Sequence, residues 1–225
     1  MSSNTRQRWA EIETLVSENK SSLTALTHLE LKSFAEEQGL MTRNDFPKFK
    51  HSLKKIGVFY DDLRAAAREE RESSLDNTVA ALVDAPRTGP HVTLWSAAVE
   101  GDDGSGAYAV VAADRSAVWY GRFFDDDRVR VPGDLVSTEQ SAAEKAVWIG
   151  SKALRTAGEG GWLTIVTTCP HLEIDVLQRA GARQGVAVDV DVNEDERAIR
   201  LAETPGFQRW QDTDLASLVE HDEED

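Results

Sequence analysis

VTLWSAAVE (92–100), GAYAVVAA (106–113) and AVWYGRFF (117–124) follow one another as three short runs rich in β-branched and aromatic residues. GDDGS and ADRS separate them, and both are rich in residues that tolerate turn geometry, so successive antiparallel hairpins are expected. In STEQSAAEKAVWIGSKALRTAG (137–158), Ala143, Val147, Gly150 and Leu154 recur at helical spacing, and Ser137 with Gln140 has the form of a capping box. WLTIVTT (162–168) shows no alternation and suits a strand covered on both faces. Pro170 is placed to open a second helix, PHLEIDVLQRAG, which Gly181 would end. VAVDVDV (186–192) alternates strictly, and ERAIRLAE (196–203) returns to helical spacing. The order β-β-β-α-β-α-β-α predicts an α/β fold with a mixed five-stranded sheet. Three strands are antiparallel, and two more are entered through helical crossovers.

Three segments add detail: Ala143-Glu144-Lys145-Ala146 in the long helix, Thr167-Thr168-Cys169-Pro170 at the end of the fourth strand, and Asn193 leading into Ala198-Ile199-Arg200-Leu201-Ala202. In position and in part in spelling, they resemble the AE-x-x-A, TDS and N-x-x-A-D-x-L-A patterns of the ribonuclease H-like superfamily. The resemblance implies a scaffold on which clustered carboxylates hold two divalent metals for phosphodiester cleavage, because two ions stabilise both the attacking and the leaving oxygen. Hard ions of this kind need oxygen ligands. Here the positions that match the family's acids are Ala97, Thr168 or Cys169, and Ile199, and only Glu144 remains. The resemblance therefore implies the fold without the family's activity, and no catalytic residue, metal or cofactor is expected. Magnesium or manganese enters only for a divergent nuclease whose ligands have moved to Glu100, Asp189 or Asp191. The two aspartates share one strand face by period-2 alternation, either toward Glu144 or as charges that protect a sheet edge. Asp103-Gly104-Ser105 spells the family's "DGS", but it leads straight into the second strand and reads as an Asp-Gly turn.

Other chemistry is weaker. Cys169, the single cysteine, lies two residues from His171, a spacing ill suited to a nucleophile–base pair. The five histidines (28, 51, 91, 171 and 221) show no zinc spacing. Gly158, Gly160 and Gly161 lie between a helix and a strand, the wrong order for a phosphate-cradling turn.

The amino-terminal part predicts a small all-α domain, residues 1–72. Its helices carry Trp9, Ile12 and Val16; Leu29, Leu31, Phe34 and Ala35 up to Gly39; and Phe49, Leu53 and Ile56 up to Gly57. A fourth helix starts at Tyr60. The turn at GLMT suggests a helix-turn-helix, with Lys48, Lys50, His51, Lys54 and Lys55 as candidate nucleic-acid contacts. Residues 73–91 read as a linker, with TVAALVDA as a short helix inside it. Residues 92–207 read as the ribonuclease H-like domain and 208–225 as an acidic tail ending in HDEED.

Residues 1–74 hold 12 basic and 12 acidic side chains, so the net charge of -15 resides entirely in residues 75–225. That excess opposes nonspecific attraction to phosphate backbones and suits solubility or a halophilic surface. The polar start, the lone cysteine and the absence of a long apolar run point to the cytoplasm and away from the membrane. Three functions are expected, in this order. The first is a non-catalytic binding or adaptor protein with a protein or nucleic-acid partner. A divergent metal-dependent nuclease and a small DNA-binding regulator follow.

Overall fold

The computed structural model describes residues 3–221 apart from Asp102 and Glu159. Its contacts divide the chain into two compact units at Ser74/Leu75. In the first unit the elements are helices: α1 (Ser3–Glu18), α2 (Lys20–Leu23), α3 (His28–Glu37), α4 (Asp45–Lys55) and the start of α5 (Tyr60–Asp84). Ile12, Val16, Leu23, Leu31, Ala35, Leu40, Phe49, Leu53 and Val58 form its core. Thr27 and Glu30 close a reciprocal capping box at the start of α3. Gly39 and Gly57, both at positive φ, terminate α3 and α4.

Helix α5 departs from the sequence expectation. Residues 65–84 contain no Gly or Pro, so nothing breaks the helix at Ser73-Ser74, and TVAALVDA is its last two turns. The irregular stretch is confined to residues 85–90.

The second unit is α/β, with a mixed five-stranded sheet. Its strands are β1 (His91–Glu100), β2 (Gly106–Ala112), β3 (Ala117–Arg122), β4 (Trp162–Thr167) and β5 (Ala187–Val192), in the spatial order β3-β2-β1-β4-β5. β1, β2 and β3 pair antiparallel, whereas β4 runs parallel to both β1 and β5. Helices α6 (Leu135–Thr156) and α7 (Ile174–Ala182) cover one face, where Val92, Leu94, Val110, Ile165 and Val188 meet Ala146, Ile149, Leu154 and Leu177. Helix α8 (Arg197–Ala202) covers the other face through Ala198, against Ala97 and Val111. Asp103–Ser105 forms the β1–β2 turn, with Gly104 at φ +75° and the Asp103 carboxylate accepting from Ser105 N–H.

Several boundaries differ from the expectation. Helix α6 starts two residues before Ser137, because Asp134 caps it by accepting from Val136 N–H, and Ser137 instead bonds residues 131 and 134. Pro170 lies in the turn before α7, and Gly181 sits inside that helix; the chain reverses only at Gly185, φ +75°. The acidic "tail" is largely structure. Residues 208–221 include two short 3-10 helices, Trp210–Asp212 and Ala216–Leu218, and Leu215 and Leu218 enter the main core. Tyr120 and Gln208 exchange backbone hydrogen bonds on the free side of β3, and His91 and Glu220 do so at the start of β1, beyond the end of β2. Asp222 to Asp225 lie outside the described residues.

Candidate functional site

β4 ends at Thr167, level with Ser96 of its parallel neighbour β1, and where β1 runs on alone to Glu100 a cleft of about 560 Å3 opens beside it. Crevices at this end of a sheet, where connections part to either side, are where open α/β sheets bind ligands. The cleft is lined by Ala98, Val99 and Glu100 from β1, Leu135, Val136 and Glu139 from α6, residues 168–171 after β4, and Ile199 and Glu203 at α8. Thr168, Cys169 and Ile199, singled out in the sequence, therefore do converge. The β1 residue beside them is Ala98; its neighbour Ala97 packs on the opposite face against Ala198.

The carboxyl group that α6 brings here is Glu139, not Glu144. Glu139 is 5 % exposed and accepts one hydrogen bond, 3.1 Å, from Ala98 N–H. Burial pushes its pKa up to about 7, against the opposing effect of that bond. The sequence held the signal: the helical stripe Ala143–Val147–Gly150–Leu154, extended back by one turn, reaches position 139. A carboxylate on a core-facing stripe is a group held for a purpose or a costly one. Glu144, half-buried, opens instead on a separate cleft with Trp119, Trp148, Trp210, Asp127 and Lys145, and burial raises its pKa as well.

Glu100, Asp189 and Asp191 are each already engaged. Glu100 takes two bonds from Arg130, 2.7 and 2.9 Å, and a further one from the Thr138 hydroxyl. The Arg130 pairing holds it at about 2. Val188 and Val190 face the α6–α7 core, so Asp189 and Asp191 project from the opposite face of β5, away from Glu144. There Arg87 grips Asp189 at 2.5 and 2.8 Å, and Asn193 bonds Asp191. Among the described residues, no three His, Cys, Asp or Glu side chains converge on a metal position. Cys169 and His171 both line the cleft, but burial raises the Cys169 pKa, the reverse of thiolate activation.

The lysines of α4 are likewise engaged. Lys48 and Lys55 share Glu13, whose carboxyl is held at about 2 by them, Lys50 pairs with Asp61, and Lys54 lies over the Phe59 ring. His51 is exposed. Of this basic cluster, three of the four lysines are thus ion-paired, with two carboxylates, Glu13 and Asp61, between them.

No protein-family model matches the chain, and no curated protein matches its sequence. Among the described residues, no helix is long and apolar enough to cross a membrane.

Proposed function

We propose that the chain is a non-catalytic binding protein whose second unit is a degenerate ribonuclease H-like scaffold. The strand order β3-β2-β1-β4-β5, with three antiparallel strands followed by two parallel ones, supports the scaffold reading. One observation carries the loss of activity: the cleft at the ends of β1 and β4 presents Ala98, Thr168, Cys169 and Ile199 around the single buried carboxyl of Glu139. Two divalent ions about 4 Å apart need several carboxylate oxygens; of the three carboxyl groups on the cleft, Glu100 is bound by Arg130 and Glu203 lies exposed at the end of α8, which leaves Glu139 as the one buried carboxyl. What such a cleft does well is receive a group from a partner. The acidic excess of residues 75–225, the part that holds the cleft, favours a protein or small-molecule partner over nucleic acid.

The test is a cleavage assay with RNA–DNA hybrid, duplex DNA and single-stranded RNA in magnesium or manganese. The expected result is no turnover above a metal-free control. Metal-dependent cleavage that disappears in Glu139→Gln overturns the reading.

A further inference from the structure

We propose that the cleft beside Glu139 binds an aliphatic ammonium or guanidinium group, the end of a lysine- or arginine-like chain, with Glu139 and Glu203 as its anionic partners. The inference rests on the non-catalytic reading above and names the chemistry of the ligand.

The charges in the cleft point one way. Glu139 has one oxygen bonded to Ala98 N–H, and no other protein donor reaches its carboxyl among the described residues. Glu203 is exposed, and its carboxylate forms no ion pair there. Glu100 is satisfied by Arg130, and Arg130 itself is occupied by Glu100 and the Gly104 carbonyl. No Lys or Arg lines the cleft, so among the described residues no cationic side chain answers the two remaining carboxyl groups. The positive end of α6, which would favour an anion, is already capped by Asp134.

The walls add the second half of the argument. Val99, Leu135, Val136, Pro170 and Ile199 form an apolar lining, with Leu135 and Val136 left 52 % and 39 % exposed at its lip. A methylene stem covers such a surface while its charged end reaches the carboxyl groups, the way lysine and arginine side chains distribute themselves. A cation placed against Glu139 also offsets the desolvation that keeps its carboxyl protonated, so binding and deprotonation favour each other. The titratable and charged groups that share the cleft with Glu139 are Cys169 and His171 from the turn after β4, Glu203 from the end of α8, and Glu100, which pairs with Arg130. Glu139→Gln leaves all of these in place, so the pH dependence it removes belongs to Glu139.

The test titrates n-butylammonium and n-butylguanidinium into the full chain and follows the Ala98 amide by 1H–15N NMR, with n-butanol as the neutral control. Expected are a saturable shift with both cations, affinity that rises from pH 6 to pH 8, and a loss of tenfold or more in Glu139→Gln. That variant keeps the acceptor for Ala98 N–H and so the local fold. Glu203→Gln gives a smaller loss. Butanol binding as well as the cations, or unchanged affinity in Glu139→Gln, overturns the proposal. A peptide acetyl-Ala-Ala-Arg-Ala-Ala-amide that binds more tightly than n-butylguanidinium assigns the cation to a protein partner; equal or weaker binding assigns it to a free small molecule. Cation binding together with metal-dependent cleavage overturns only the non-catalytic reading, whereas absent cation binding without cleavage overturns only this inference.

Discussion

Glu139 keeps its proton through a range in which exposed carboxyl groups have lost theirs, and that makes folding itself respond to pH. Its folded pKa, about 7, lies above the ordinary value of 4.5, so between those limits the native state binds more protons than the unfolded chain. Stability from this group is complete below about pH 4.5 and falls as pH rises through 7, by about 3 kcal/mol in all. Glu100 and Asp127, both held at about 2, have the opposite sign: their contribution fades only as pH falls from their ordinary values toward 2, outside this window. Urea midpoints at pH 5 and pH 8 check the point. The wild type should lose stability across that interval relative to Glu139→Gln, and parallel pH profiles for the two would refute the assignment. The residue was legible as a carboxylate on the buried stripe of a helix. What obscured it was the AE-x-x-A spelling five residues on, which drew attention to Glu144.

At the scale of elements, strand and helix order followed from hydrophobic period alone, while boundaries depended on single contacts. Gly181 illustrates the difference. As a helix breaker it ought to end α7, yet it lies within the helix because the strand beneath leaves no room for a side chain. A Cβ there would stand 2.3 Å from Val188 Cγ2 and 2.7 Å from the Val186 carbonyl oxygen. Gly181→Ala gains up to about 1 kcal/mol of helix propensity but must push α7 off β5, and overpacking of this kind costs about 1–3 kcal/mol. A net loss of up to about 2 kcal/mol by chemical denaturation is expected. Gly160→Ala, where the added Cβ meets nothing within 4 Å, is the control and should be close to neutral. A gain in stability for Gly181→Ala would mean that α7 is not seated so closely. Spacing alone shows neither this approach nor the Asp134 cap of α6, since both depend on atoms brought together by the fold.

For the molecule as a whole, the acidic excess in residues 75–225 remains the dominant compositional fact, and it is what kept the last segment hidden. Read locally, residues 208–221 are short, polar and charged. Their partners, Tyr120 and His91, lie 88 and 129 positions earlier, too far for any local pattern to reveal. The Gln208 amide also donates to the Ala117 carbonyl, and the Thr213 hydroxyl to that of Val118, so this segment answers the outward-facing backbone groups of β3. A chain cut before Gln208 would leave a row of unanswered N–H and C=O groups beside the exposed rings of Phe124 and Phe207, 76 % and 73 % accessible. Such a rim is a template for strand addition by any neighbouring copy. The truncated chain, which also loses Leu215 and Leu218 from the core, should therefore associate, with light scattering that grows with concentration. If the uncovered β3 edge is the cause, Tyr120→Pro in that chain, which removes the edge N–H, reduces the scattering without restoring the Leu215 and Leu218 contacts.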